Sequence, residues 1–124
     1  MTSRRGDGWD IHDMDGFEIL VGRSARDNDR LSLREARPRD LWIHAHGFAG
    51  SHVVVRHPEG TDEVPREVMQ RAAELAAWHS KARGARGKIS VHVCRAADVS
   101  KPRGAPAGQV RLRRFDTLKV YPRG

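Results

Sequence analysis

The sequence lacks the features that mark a secreted or a membrane protein. It contains one cysteine, Cys94, which excludes an internal disulfide and also a self-contained zinc finger or zinc knuckle. No segment approaches the roughly 20 apolar residues that a membrane-spanning helix needs, and no apolar stretch follows Arg4 and Arg5 as in a signal peptide. We therefore expect a cytoplasmic, soluble and unprocessed protein.

Aromatic residues and enzyme motifs are also scarce. Three Phe, three Trp and one Tyr leave a core built mainly from Val, Leu, Ile and Ala, and the length suits one domain. There is no P-loop, no dinucleotide-binding fingerprint and no G-x-S-x-G elbow, and the adjacent Ser51 and His52 diverge on a strand. The sequence therefore predicts no catalytic residues and no cofactor.

Positive charge is concentrated at the C-terminal end. Residues 1–79 hold 11 Lys and Arg against 14 Asp and Glu, whereas residues 80–124 hold 12 against 2. Such asymmetry indicates a polyanionic partner such as nucleic acid, although a basic surface that only maintains solubility gives the same pattern. An anionic membrane is disfavoured, because this region shows no basic amphipathic helix.

The hydrophobic pattern predicts an α+β domain with a largely antiparallel sheet, one main amphipathic helix and a short helix. Residues 1–15 are polar and are expected to form a flexible arm before a domain over 16–124. The predicted elements are a strand over 17–21, a short helix or turn over 31–36, a hairpin of 41–46 and 52–56, a helix over about 65–81, a strand over 89–94, and a terminal hairpin of 109–113 and 117–121.

The predicted hairpin over 41–56 contains a group of histidines. Period-two alternation places Trp42, His44 and His46 on one face of the first strand, and His52 returns nearby on the second. One interpretation is a metal site formed by His44, His46 and His52, in a small metal-binding protein or metalloenzyme. A second is that the histidines are structural and satisfy loop carbonyls.

The same hairpin also fits a surface that binds RNA. Trp42 and the histidines are expected to form an exposed face on which bases or riboses stack. Ser51, after Gly50, offers a hydroxyl and a backbone N–H group to phosphate, and Arg56 on the same face adds charge. All three interpretations use the same residues, so the hairpin by itself does not decide between them.

A second candidate region is the basic segment 101–114. Its prolines restrict the loop and so reduce the entropy lost when Lys101 and Arg103 bind phosphates. The strand that follows projects Arg111 and Arg113 on one face, and Lys88 is a further candidate phosphate contact. The alternative is a run of solvated charges with no partner.

Several short motifs follow one another in a characteristic order along the chain. They are Gly22-Arg23, Asn28-Asp29, Asp40-Leu41-Trp42-Ile43-His44, Gly50-Ser51-His52-Val53-Val54, His79-Ser80-Lys81, Asp98-Val99-Ser100-Lys101-Pro102-Arg103-Gly104-Ala105, Gly108-Gln109-Val110 and Thr117-Leu118-Lys119-Val120. Their order resembles one known family, the NFACT-R RNA-binding domain. The resemblance extends over about residues 17–122 and is more specific than any single motif.

The resemblance implies a non-enzymatic module that contacts tRNA or ribosomal RNA, with the large ribosomal subunit as a candidate partner, in translation or ribosome quality control. The other domains of the large family members are absent from this sequence, so their complete activity is not expected here. Ala49 stands where the family often has proline. The positions that match the family pattern are Arg23, Asn28, Asp40, Trp42, His44, Ser51, His52, Lys101, Arg103 and Gln109.

Overall fold

Nine strands and two helices form the fold in the computed structural model, which describes residues 2–60 and 63–124. A π-helical turn over Leu31–Glu35 continues the first helix, and a short 3-10 turn over Ala96–Asp98 precedes β7. The elements are β1 (Thr2–Arg5), β2 (Trp9–Met14), β3 (Phe17–Gly22), α1 (Ala25–Arg30), β4 (Leu41–Ala45), β5 (Val53–Arg56), α2 (Arg66–Trp78), β6 (Ile89–Arg95), β7 (Val99–Ser100), β8 (Arg111–Leu112) and β9 (Asp116–Val120).

Seven of the strands form one antiparallel sheet in the order β1-β2-β3-β5-β4-β6-β9, and β7 pairs with β8 in a separate two-stranded sheet. The architecture confirms the predicted α+β class with its largely antiparallel sheet, one main helix and a short helix. Neither helix in the described residues is long and apolar enough to span a membrane.

One face of the large sheet packs against α2. Ile43 on β4 and Val53 and Val55 on β5 point toward this helix, as strand alternation predicts. The helix presents Ala72 and Ala76 to them, and these small side chains allow its backbone to lie close to the sheet. Because this face is fully buried and apolar, it fixes the register of β4 against β5.

The opposite face of the sheet is buried as well. Leu20, Trp42 and Val54 form a second cluster on that face, covered by Leu31 from the π-helical turn. Partly buried side chains from the segment after β7, among them Val110, complete the cover. The sheet therefore has one helical layer on one side, and a short helical segment with a loop on the other.

The N-terminal residues form strands where the sequence predicts a flexible arm. β1, β2 and β3 make consecutive antiparallel pairs, and the turn between β2 and β3 uses Asp15 and Gly16, both with positive φ. Arg4 on β1 forms ion pairs with Asp13 and Glu18 across the neighbouring strands. Most of residues 2–14, which the sequence predicts as part of an arm over 1–15, thus lie in strands, and cross-strand charge pairs support a sheet that shows little apolar alternation.

The predicted C-terminal hairpin is wrong. β8 pairs with β7, whereas β9 pairs with β6 at the edge of the large sheet. The cause is burial on different faces, because Val110 and Leu112 pack against the Trp42 cluster while Leu118 packs against the α2 side. Two segments that serve opposite faces cannot form one local hairpin.

The two helices differ from their predicted bounds for local reasons. α1 begins at Ala25, before the predicted 31–36, because the Ser24 side chain caps it by accepting a hydrogen bond from the Asp27 backbone N–H at 3.1 Å. α2 ends at Trp78 and not near 81. Backbone bonds from Ser51 N to His79 O and from Lys81 N to Ala49 O take the chain out of the helix.

We expect Gly50→Ala to destabilise the protein, because an added Cβ would lie 2.6 Å from Ser80 Cβ where the loop crosses the end of α2. Overpacking of this kind costs about 1–3 kcal/mol. Gly84→Ala is the matched control, since a Cβ there meets nothing within 4 Å. Urea unfolding of both variants measures the difference, and equal free energies of unfolding would contradict the expectation.

Candidate functional site

A buried chain of hydrogen bonds connects the sheet to the loop between β7 and β8, residues 101–110, which we call the basic loop. Trp42 Nε1 donates to Ser32 Oγ at 2.8 Å, Ser32 Oγ lies 2.7 Å from His52 Nδ1, and His52 Nε2 lies 3.1 Å from the carbonyl oxygen of Gly108. A carbonyl only accepts, so Nε2 holds the ring proton; Ser32 therefore donates to Nδ1. The neutral imidazole thus accepts from the helical turn and donates to the loop.

The neighbouring pair Asn28 and Asp29 makes the same connection from α1. Asn28 Oδ1 accepts from the backbone N–H of His52 at 3.0 Å, and its amide donates to Gly50 O at 3.3 Å. Asp29 Oδ1 accepts from the backbone N–H of Gly108 at 3.1 Å. The two adjacent side chains therefore bind the hairpin loop on one side and the basic loop on the other.

Lys101 completes the attachment of the basic loop and does not project from it. Its ammonium lies 3.0 Å from Asp29 Oδ2 and donates to the carbonyl oxygens of Pro106 at 2.5 Å and Gln109 at 2.9 Å. Three donors with three acceptors leave no proton for another partner. The predicted phosphate contact at Lys101 is therefore replaced by an internal role, which holds the loop in one shape.

Several other residues predicted to contact RNA are buried. Trp42 and His52 are 2% and 1% exposed, so the expected open stacking face at these rings is wrong. Arg56 is buried between Glu35 at 3.2 Å and Asp40 at 3.7 Å. The sequence pattern places these rings on the correct side of the strand, but it does not show that a distant loop covers that side.

Arg23 and Ser51 lie at the surface but are hydrogen bonded within the protein. Arg23 Nη1 pairs with Asp10 at 2.7 Å and Nη2 donates to Gly6 O at 2.5 Å. Ser51 Oγ donates to Gly22 O at 2.6 Å, which leaves its oxygen lone pairs and the loop around it accessible. Both residues line one groove with Gln109, so the structure brings these three predicted positions together.

The three-histidine metal site is not formed. His52 uses both ring nitrogens in hydrogen bonds, and the His46 ring stacks on His92 with centroids 4.4 Å apart. Nowhere in residues 2–60 and 63–124 do three His, Cys, Asp or Glu side chains form a group that could hold a metal ion. The alternative of a histidine-metal enzyme therefore does not hold at His44, His46 and His52, because these side chains do not form the metal site that it needs.

The exposed cations of the basic segment remain available. Arg103 and Arg111 have no acidic partner in the described part of the chain and line one depression of about 480 Å³. Arg113 pairs with Asp98 at 2.9 Å although its side chain is 72% exposed. Lys88 lies apart from them, with its ammonium 5.5 Å from the Tyr121 ring centroid.

Two concave regions lie beside this segment. One, of about 660 Å³, is the groove lined by Arg23, Ser51 and Gln109. The other, of about 340 Å³, is walled by aromatic rings and includes His92 and Phe115, which sequence analysis missed. Alternation along β6 indicates the face of His92, but its position beside Phe115 depends on how β9 joins the sheet.

Comparisons with known proteins identify relatives of this domain. The family model described as the NFACT protein RNA binding domain matches residues 9–114. The chain is 40% identical over 105 residues to the Rqc2 homolog RqcH of Streptococcus suis and 36% identical over 107 residues to that of Bacillus subtilis. These matches cover 84% and 86% of this chain, respectively, and the chain spans 18% of the length of each relative.

A solved structure shows the same fold. It is the C-terminal part of the fibronectin/fibrinogen-binding protein from Streptococcus suis, which superposes with a TM-score of 0.85 at 36% identity. The match covers 97% of this chain and 47% of that chain. The superposition therefore extends beyond residues 9–114, which the family model matches.

Because His52 is buried, we expect the free energy of unfolding to decrease in acid. Burial is the main cause that lowers its pKa to about 4, with the nearby His44 as the second. Because the unfolded chain binds the proton more readily than the folded protein, the neutral ring's contribution to the free energy of unfolding is complete above pH 6.5. It is lost as the pH falls toward 4, at up to about 1.4 kcal/mol per pH unit.

We expect His52→Gln to reduce this pH dependence of the free energy of unfolding and to destabilise the protein near pH 7. His57→Gln, in the loop after β5 and outside the network, is the control for loss of a histidine. Urea titrations between pH 7.5 and 4.5 measure the slope. If His52→Gln and the original protein show the same slope, His52 is not buried as a neutral ring.

Proposed function

This chain belongs to the family of NFACT protein RNA binding domains, and from this premise we propose that it is a non-enzymatic module that binds tRNA or ribosomal RNA. The relatives named above are Rqc2 homologs, and a fission yeast relative is named ribosome quality control complex subunit 2, which makes the large ribosomal subunit the candidate partner and the cytoplasm the candidate location. Since the chain spans 18% of their length, the proposal is limited to RNA contact.

The observation that most supports RNA binding is a basic loop held in one shape before any ligand arrives. Lys101, Asp29 and His52 together fix the backbone around Gly108, and the exposed Arg103 and Arg111 extend from this fixed segment. A fixed loop loses little conformational entropy on binding, so more of the phosphate interaction appears as affinity. Arginine also donates in pairs to phosphate oxygens, which suits both side chains to this role.

The charge around the loop also favours a polyanion. Asp98 and Asp116 are the two acids of residues 80–124, and Asp98 is buried against Arg113. Asp29, which approaches the loop from α1, is neutralised by Lys101. The acids that approach the loop are therefore compensated, while Arg103 and Arg111 are not.

The groove beside the loop supplies a second surface for the same ligand. The groove is lined by the buried Asn28, by Ser51 and by the exposed residues Gln109 and Arg23. Such a mixture of hydroxyl, amide and guanidinium groups suits sugar hydroxyls and phosphate oxygens, which RNA presents along its backbone. We place the RNA backbone along this groove and the arginine depression.

We expect the double variant Arg103→Ala, Arg111→Ala to lose RNA affinity and part of its salt dependence. Each phosphate contact contributes about 0.7–0.9 to the slope of log affinity against log salt, so the slope should fall by about 1.5. Filter binding of tRNA and of ribosomal subunits from 50 to 300 mM salt measures the slope.

Arg5→Ala is the matched control, because it removes one exposed arginine from β1, at the sheet edge opposite β9. Its salt slope should remain close to that of the original protein. If all three proteins bind tRNA and ribosomal subunits without salt sensitivity, or do not bind them, the proposed function is wrong.

We expect Asp29→Ala to weaken RNA binding, although it makes the protein more positive by one unit. The substitution removes the partner of both Gly108 N and the Lys101 ammonium, so the loop becomes mobile. Net charge alone predicts the opposite sign, namely tighter binding. Affinity for tRNA at a fixed salt concentration, with hydrogen exchange of the Gly108 region, distinguishes the two, and tighter binding would show that loop order is unimportant.

A further inference from the structure

Three rings form a column on the loop-covered face of the sheet. The His46 and His92 centroids are 4.4 Å apart with planes inclined by 31°, and the His92 and Phe115 centroids are 4.0 Å apart with planes inclined by 28°. Neither His92 nor Phe115 is among the positions that match the family pattern. The proposed RNA backbone contacts do not use this column.

The column is partly open to solvent and is held by regular structure. His92 lies on β6, His46 follows β4 and bonds through its backbone N–H to Ser90 O at 2.9 Å, and Phe115 precedes β9. Phe115 is 48% exposed. An exposed ring contributes less to a core than a buried one, but Phe115 stacks on the His92 imidazole, which in turn packs against His46, so its position is well defined for a ligand.

The column forms a wall of a cavity that has the chemistry to bind a planar heterocycle. The cavity of about 340 Å³ also contains His44 and Gln109. It falls at the lower end of the range of about 300–1,000 Å³ for small-ligand sites. The Gln109 side-chain amide makes no hydrogen bond with the described residues, so its donor and acceptor are free for the edge of a ring.

The positive charge near the cavity favours a heterocycle that is part of an anionic molecule. Arg114 directly precedes Phe115, is exposed and has no acidic partner among residues 2–60 and 63–124; with Asp116 it lines a neighbouring depression that shares Phe115 with the cavity. Arg111 lies two residues beyond Gln109, on the same basic segment. Burial and the neighbouring His46 lower the pKa of His92, which keeps the central ring of the column uncharged near neutral pH. Neutral rings beside arginines fit a base with its phosphates.

We propose that this cavity binds one unpaired nucleobase of RNA, packed against Phe115, with the Gln109 amide on the base edge and Arg114 on the adjoining phosphate. The inference rests on the proposed RNA binding and adds selectivity for unpaired nucleotides. A base within a duplex has both faces covered by its neighbours and cannot pack against the ring, whereas a base in a loop or an end can.

The test uses two RNAs, one a blunt-ended duplex in which every base is paired and the other the same duplex extended at one end by four unpaired adenosines. The original protein should bind the extended RNA more tightly. Phe115→Ala should weaken binding of the extended RNA by roughly 5- to 150-fold, as loss of a base stack does, and leave binding of the blunt-ended duplex unchanged. Phe48→Ala is the matched control, because Phe48 is 43% exposed and lies outside the ring column.

A second measurement reports stacking directly and guards against misfolding. With 2-aminopurine in the unpaired segment, the original protein should change its fluorescence on binding, and Phe115→Ala and Phe115→Leu should not. Thermal unfolding of both variants should match the original protein. A fluorescence change that persists in both variants, or an equal loss of affinity for the two RNAs, would overturn the inference.

The two proposals fail in different ways. If the original protein binds both RNAs with salt sensitivity and Phe115→Ala binds the extended RNA as tightly, the nucleobase site is wrong and the RNA-binding function stands. If the original protein binds neither RNA at low salt, both proposals are overturned.

Discussion

The hydrogen bonds of one neutral imidazole hold the functional surface in place. His52 accepts a hydrogen bond from the Ser32 hydroxyl on the π-helical turn and donates one to the carbonyl oxygen of Gly108 on the basic loop, and Trp42 donates to Ser32 in the same chain of bonds. Each bond alone is worth about 1 kcal/mol net, but a buried group that loses its partner costs more than the bond. The loop therefore cannot leave the sheet without exposing or orphaning several polar groups at once.

This arrangement explains why several polar residues that the sequence predicts to contact RNA instead make hydrogen bonds within the protein. Asn28 and Asp29 are adjacent on α1, yet one bonds the hairpin and the other bonds the loop. The Lys101 ammonium donates its three protons to Asp29 and to two carbonyl oxygens. We infer that Asn28, Asp29 and Lys101 mainly position the loop, and that contact with the ligand falls to the exposed Arg103 and Arg111.

The sequence predicts the parts of the fold that depend on local periodicity. Alternation along 53–56 assigns Val53 and Val55 to one face and Val54 to the other, and the structure confirms this division. It does not predict which surface covers Val54 and Trp42, because the cover comes from a loop that is distant in sequence. The partner of Lys101 and the neighbours of His92 depend on the same long-range packing. The sequence therefore predicts β4 correctly but does not predict that Trp42 on this strand is buried.

The distribution of acids provides the link between fold and function. On β1 to β3, Asp13 and Glu18 bind Arg4 and so join strands that have little apolar alternation. Near the loop, Asp29 binds Lys101, so a negative charge that could repel RNA serves to order the segment from which Arg103 and Arg111 project. Phosphate attraction by those arginines is independent of sequence and pairing. Discrimination between paired and unpaired RNA must come from a surface that recognises base faces, and the Phe115 ring column beside the arginines is where this fold presents one.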